Sequence, residues 1–98
     1  MKLIGKRKQD GVGRVTLRFD GDITIYTVKK LKKVLFDELN KCKSLILDLS
    51  GVSLFDSAGF QLLLVASRKA GTEGRELVIR EKSGQVQSIL DLYGVSWK

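Results

Sequence analysis

Residues 44–64, SLILDLSGVSLFDSAGFQLLL, pass from a short apolar run bounded by turn residues to a longer apolar run opened by an aspartate and a serine. This handover constrains the fold more than any other stretch of the chain. The first run, from Ser44 to Ser50, is too short for a stable helix and has the length and flanks of a central strand. The second, from Ser57 to Ala70, is long enough for a helix. It carries Arg68 and Lys69 in its last turn, where the helix dipole favours cations, and is expected to stop at Gly71. A strand that feeds a helix in this way calls for a sheet with helices packed against it.

The remaining segments fit that frame. In GRVTLRFDG, Val15, Leu17 and Phe19 alternate with Arg14, Thr16 and Arg18, the period-2 signature of a strand with one wet face. An N-terminal strand near residues Lys2 to Arg7 should pair with it antiparallel through a turn at Asp10 to Gly13. TVKKLKKVLFDELNK places Val28, Leu31, Leu35 and Leu39 on one helical face, with Thr27 as N-cap and most lysines elsewhere on the wheel. ELVIR reads as a further strand. SGQVQSILDLYG reads as a helix with Val86, Ile89, Leu90 and Tyr93 on one stripe and Gly94 as terminator. No proline occurs, so glycine marks the other expected turns, at Asp20 to Asp22, Ser50–Gly51, Gly71 to Gly74 and Ser83–Gly84. The expected fold is α/β, a mixed sheet of about four strands with three helices in the order β-β-α-β-α-β-α, with mainly parallel central strands. In such sheets ligands gather at the loops after the carboxyl ends of strands, and LFDSAG is one of those loops.

Composition narrows the chemistry. Ninety-eight residues with 43% hydrophobic content suffice for one domain, spanning residues 1–98, with one core. No apolar run approaches the ~20 residues of a membrane span, and MKLIGKRK is not followed by the apolar stretch of a secretory signal, so a cytoplasmic location is expected. Histidine is absent and Cys42 is the only cysteine. That excludes an internal disulfide, removes every Ser-His or Cys-His hydrolase, and argues against zinc. No enzyme activity, no metal and no cofactor are expected. The net charge of +7 is unevenly spread, with 12 Lys/Arg against 5 Asp/Glu in residues 1–43 and 6 against 6 in residues 44–98. A basic half attracts acidic partners, whether protein, nucleic acid or anionic lipid, although a solvated lysine face is the commoner meaning. Phe36 is the one aromatic residue among Lys29, Lys30, Lys32, Lys33, Lys41 and Lys43, so direct nucleic-acid binding is not expected.

Within LFDSAG, Asp56 or Ser57 should cap the following helix. The same helix start would receive a phosphate on Ser57 without refolding, since the dipole and first-turn N–H groups favour about −1.5 to −2 charges there. Gly59 costs roughly 1 kcal/mol of helix propensity relative to alanine, which points to close approach or tight packing. FQLLLVA is apolar nearly all round, so burial against a sheet can leave part of it for a partner. Ser57 as a nucleophile lacks the G-x-S-x-G elbow, a histidine and the S-x-x-K lysine. A phospho-aspartate site built from Asp20, Asp22, Asp48 and Asp56 lacks an adjacent acidic pair. No P-loop or G-x-G-x-x-G occurs.

LILDLSGVSLFDSAGFQLLL resembles the STAS domain family, the anti-sigma factor antagonists and their relatives: an apolar strand ending in DLSGV, a spacer, then D-S-x-G opening an apolar helix. VTLRFDGDI resembles the family's G-(D/E)-(I/L) strand end, and REL with SGQVQSILDLYGV resembles its later strand and helix. The resemblance implies a protein-binding regulator. Ser57 would be phosphorylated by a partner serine kinase, often the anti-sigma factor itself. The unphosphorylated form would bind that partner, and a phosphatase would restore binding. Asp22, Asp56, Ser57, Gly59, Phe60 and Leu64 are the implied partner surface, with Asp56 orienting the loop and Phe60 and Leu64 docking. Many family members carry a second hydroxyl where this chain has Ala58, which leaves Ser57 as the sole acceptor in the loop. A non-switching adaptor in a chemotaxis, stress-signalling or lipid-transport complex is the alternative, and a monomer or weak dimer is the expected state.

Overall fold

The computed structural model describes residues 3–11 and 13–95. Strands β1 (Leu3–Gln9) and β2 (Arg14–Ile23) form an antiparallel pair, and α1 (Val28–Leu39) leads to β3 (Ser44–Phe55). Helix α2 (Ser57–Thr72), strand β4 (Glu76–Lys82) and helix α3 (Gly84–Leu92) follow. The sheet order is β1-β2-β3-β4, with β2, β3 and β4 mutually parallel. This is the mixed four-stranded sheet with three helices that the pattern of the sequence implies. Among the described residues no helix is long and apolar enough to cross a membrane.

The core lies on one face of the sheet. Val15, Leu17 and Phe19 point into it from β2, and Leu45, Leu47 and Leu49 from β3, while Arg18, Asp48 and Ser50 alternate onto the other face. Helix α1 contributes Leu31, Leu35 and Leu39, α2 contributes Leu63, Ala66 and Ala70, and α3 contributes Val86 and Leu90, all buried. Each fully buried leucine or valine is worth roughly 1.5–3 kcal/mol of transfer free energy, so this alternating pattern rather than local propensity fixes the fold.

Several boundaries differ from the sequence reading. The strand from Ser44 does not turn at Ser50–Gly51 but runs on to Phe55, and β2 likewise runs through Asp20 to Asp22. Both glycines serve the ladder instead. Gly21 adopts φ +115° beside a register shift, and a Cβ on Gly51 would lie 1.6 Å from Asp20 Oδ1 of the neighbouring strand. Helix α2 passes Gly71 and ends at Thr72, with Gly74 (φ +68°) taking the left-handed position and the Arg75 N–H donating to the Ala70 carbonyl at 2.8 Å. Thr27 stands at the N-cap position of α1 but makes no side-chain cap. Its hydroxyl donates to the Asp22 carbonyl at 2.8 Å and accepts from the Thr24 N–H at 3.0 Å, which tightens the β2–α1 loop instead. The N-terminal strand begins at Leu3, and Lys2 lies outside the described residues.

Candidate functional site

Because β2 and β3 are adjacent and parallel, their carboxyl ends open side by side. Asp22 pairs with Leu54 and Ile23 with Phe55, and the Asp56 N–H donates to the Ile23 carbonyl at 3.3 Å. The β2–α1 loop, residues 24–27, therefore lies against the first turn of α2. Asp56 joins the two. It is the N-cap of α2, with Oδ1 accepting from the Gly59 N–H at 3.1 Å, and its Oδ2 accepts from the Ile25 N–H at 3.0 Å. Of the two candidate caps, the aspartate takes the role and leaves the serine free of it.

Ser57 is the first residue of α2 and is exposed. Around its end of the sheet stand large apolar side chains that no core covers: Ile25 (66% exposed), Tyr26 (78%) and Leu54 (46%). Leu64, seven residues on from Ser57 and so on the same side of α2, is 37% exposed. The arrangement is an exposed hydroxyl at the positive end of a helix dipole, set among water-facing apolar groups. A protein surface docking there would cover both at once.

Not every residue of the expected surface faces outward. Asp22, Asp56 and Ser57 do come together, Asp22 half-buried and supplying its carbonyl to Thr27. Gly59 is buried, and what approaches it closely is this chain: a Cβ there would meet the Phe55 ring at 2.8 Å, Ile23 Cγ2 at 2.9 Å and the Ile23 carbonyl at 3.0 Å. Its absent side chain is what brings α2 down onto the end of β2. Phe60 is 6% exposed and its ring is stacked on Tyr93 at 4.3 Å between centroids, so it props the helix from inside rather than docking a partner. Ile25, Tyr26 and Leu54 were missed by sequence reasoning. For Ile25 and Tyr26 the signal is present in DITIY, where two bulky apolar residues stand side by side beyond the last residue of β2.

The carboxylates of the alternative phospho-aspartate reading do not converge. Asp20 and Asp48 both pair with Arg18, at 3.1 and 3.5 Å, on the sheet face away from the helices. Burial pushes the Asp48 carboxyl up, but hydrogen bonds from Ser50 together with Arg18 and Arg80 outweigh it and hold the group below its ordinary value. Among the described residues no three carboxylate or thiol ligands gather as a metal site would require.

Comparison with known proteins gives the same placement. The chain matches the STAS domain family over residues 4–97. Its fold is similar to the crystal structure of an anti-sigma factor antagonist from Mycobacterium paratuberculosis, at 18% identity and a TM-score of 0.83, covering 95% of this chain and 79% of that one. It is similar to the anti-sigma factor antagonist SpoIIAA in its unphosphorylated form, at 16% identity and a TM-score of 0.79, covering 94% and 82%. The phosphorylated form of the Bacillus cell fate determinant SpoIIAA superposes at 15% identity with a TM-score of 0.75, covering 94% and 85%. The β-β-α-β-α-β-α order, the four-stranded mixed sheet and the match over nearly the whole chain agree: this chain belongs to the STAS domain family.

Proposed function

We propose that this STAS domain is a non-enzymatic, protein-binding regulator whose affinity for its partner is switched by phosphorylation of Ser57. The observation that carries the reading is the exposed Ser57 hydroxyl at the start of α2, set among exposed Ile25, Tyr26 and Leu54. Unmodified, that surface is apolar enough to dock a partner. A phosphate would bring about −1.5 to −2 charges into the contact, where desolvation is costly, and would sit beside the Asp56 cap. Helix α2 need not refold, because its dipole tolerates an anion at that end. SpoIIAA, which shares this fold, exists in unphosphorylated and phosphorylated forms, and that supports the reading.

On this reading the partner is an anti-sigma factor or serine-kinase-like protein, with a phosphatase resetting the switch, and any nucleotide belongs to the kinase. Ala58 leaves Ser57 as the one hydroxyl of the loop. The test begins with capture of the partner from the native host. Intact mass of this chain after incubation with that partner and ATP should rise by one phosphate, and Ser57→Ala should not change in mass. Ser57→Asp should weaken the complex at least about tenfold, the equivalent of 1.4 kcal/mol. Equal affinity of Ser57→Asp and wild type would instead make the chain a constitutive adaptor.

A further inference from the structure

Helices α1 and α2 follow the neighbouring parallel strands β2 and β3, so they run side by side in the same direction. Between them lies a shallow depression of about 320 Å³, lined by Phe36 of α1 and by Val65, Arg68, Lys69 and Thr72 of α2. Lys29, Lys32 and Lys33 precede Phe36 by seven, four and three residues, and so share its side of α1. All three are exposed, as is Arg68. Lys32 lies over the Phe36 ring, 5.4 Å from its centroid, and Lys69 reaches the same ring at 5.3 Å while pairing with Glu73 at 2.6 Å. Lys29, Lys33 and Arg68 form no ion pair with any described residue, Asp37 one turn beyond Lys33 included.

Local physics does not favour these lysines. Lys29 sits in the first turn of α1, at the positive end of the helix dipole, and no acid shares that turn. Lys29 and Lys33 are a like-charge pair one turn apart, which destabilises a helix. Charges set against their own helix are expected where function rather than stability selects them. The furrow also joins the Ser57 surface, because Ser57, Gln61, Leu64, Val65, Arg68 and Thr72 are all exposed and form one stripe along α2. Charge and shape then choose the occupant. A second copy of the chain would set the same cations against themselves. A duplex would meet the cations but offer nothing apolar to Phe36 and Val65. A bilayer presents its charge as a plane, which meets the outer ridges and not the depression between two helices. An acidic protein segment supplies both the charge and the apolar contact. Resting on the reading of Ser57 as a docking surface, we propose that the furrow between α1 and α2 is a second contact for the same partner. It takes an apolar side chain of that partner flanked by Asp or Glu, which face Lys29 and Lys33 on one bank and Arg68 on the other.

The probe is a display library of 16-residue helical peptides with randomised positions, selected against the full chain. Enriched peptides should carry Asp or Glu on both sides of an apolar residue and should shift the amides of Lys33, Phe36, Val65 and Arg68. Their affinity should fall with added salt. Lys29→Glu/Arg68→Glu should bind them at least about tenfold more weakly. Lys6→Glu/Lys8→Glu, the same change of net charge at exposed positions of β1, should bind within about twofold of wild type. Lys29→Glu alone should raise the melting temperature, since an acid then stands in the first turn of α1 and one turn before Lys33, so lost binding is not lost fold. A lower melting temperature would assign Lys29 to the fold and overturn the proposal. Ser57→Asp should bind these short peptides within about threefold of wild type, whereas the partner captured at the Ser57 surface should bind more weakly to Ser57→Asp and to Lys29→Glu/Arg68→Glu alike. Weakening of that partner by Ser57→Asp alone would overturn the furrow and spare the switch. Weakening by the charge reversals alone would sink the switch and keep the furrow. A selection without acid-flanked peptides, amide shifts that map elsewhere, or an equal loss in the β1 variant would also overturn the proposal. So would a preference of these residues for anionic phosphatidylglycerol vesicles or a 20-base-pair duplex, or self-association mapped to them.

Discussion

The backbone N–H of Ile25 donates to Asp56 Oδ2 at 3.0 Å, while the other oxygen of the same carboxylate caps α2 through the Gly59 N–H. One side chain thus fixes the β2–α1 loop, which carries the exposed Ile25 and Tyr26, to the helix that carries Ser57. Asp56→Ala removes both bonds. The lost cap costs about 1 kcal/mol and the Ile25 tether adds to it, for a total of about 1–2 kcal/mol in urea unfolding. Amide exchange should quicken at Ile25 and Gly59 together. Faster exchange at Gly59 alone would mean that the loop is held by something else.

Ser57→Ala, by contrast, should leave stability within about 0.5 kcal/mol of wild type, because the side chain is exposed and Asp56 holds the cap. Thermal unfolding of the two proteins checks this. A loss near 1 kcal/mol would assign Ser57 a capping role that the hydrogen bonds do not show.

What the sequence revealed follows from which forces are periodic. The alternation of Val15, Leu17 and Phe19 and the helical spacing of Leu31, Leu35 and Leu39 are direct images of burial, and every element they imply is present. Glycines misled wherever a neighbouring strand decided their role. Gly51 looks like a turn residue but lies within β3 because Asp20 of β2 occupies the space of its side chain, a relation that only strand pairing reveals. At the site, D-S-x-G located the helix start and Asp56 with it. That Phe60 is turned inward depends on its stacking on Tyr93, 33 positions away, and local pattern carries no trace of that.

Gly59→Ala sets two effects against each other. Alanine improves helix propensity by roughly 1 kcal/mol. The new Cβ would lie 2.8 Å from the Phe55 ring and 3.0 Å from the Ile23 carbonyl, the latter on a backbone held in the β2–β3 ladder that cannot move aside cheaply. Overpacking of this kind costs typically 1–3 kcal/mol, so the variant should be net destabilised by about 1 kcal/mol. The clash also pushes α2 off the end of β2, and amide shifts should spread from Gly59 to Ile23 and Ile25. A stabilised variant would show that the helix can lift without penalty.

Asp48 makes part of the acid sensitivity of the domain predictable in sign. Its carboxyl is held below its ordinary value of 3.8, because the hydrogen bonds from Ser50 and the cations Arg18 and Arg80 outweigh the opposing effect of burial. The folded state therefore binds fewer protons than the unfolded chain near pH 4. The stability this group contributes is fully present above its unfolded pKa and is lost as pH falls through the lower folded value. Asp48→Asn keeps an oxygen for the Ser50 hydroxyl and N–H but abolishes the charge that Arg18 faces at 3.5 Å. At pH 7 the variant should be less stable by up to about 1 kcal/mol, since the pair with Arg18 is partly solvent-screened. In urea titrations from pH 7 to pH 2, wild type and variant should converge as Asp48 is protonated. A gap that stayed constant across that range would trace the loss to packing of the amide, not to charge.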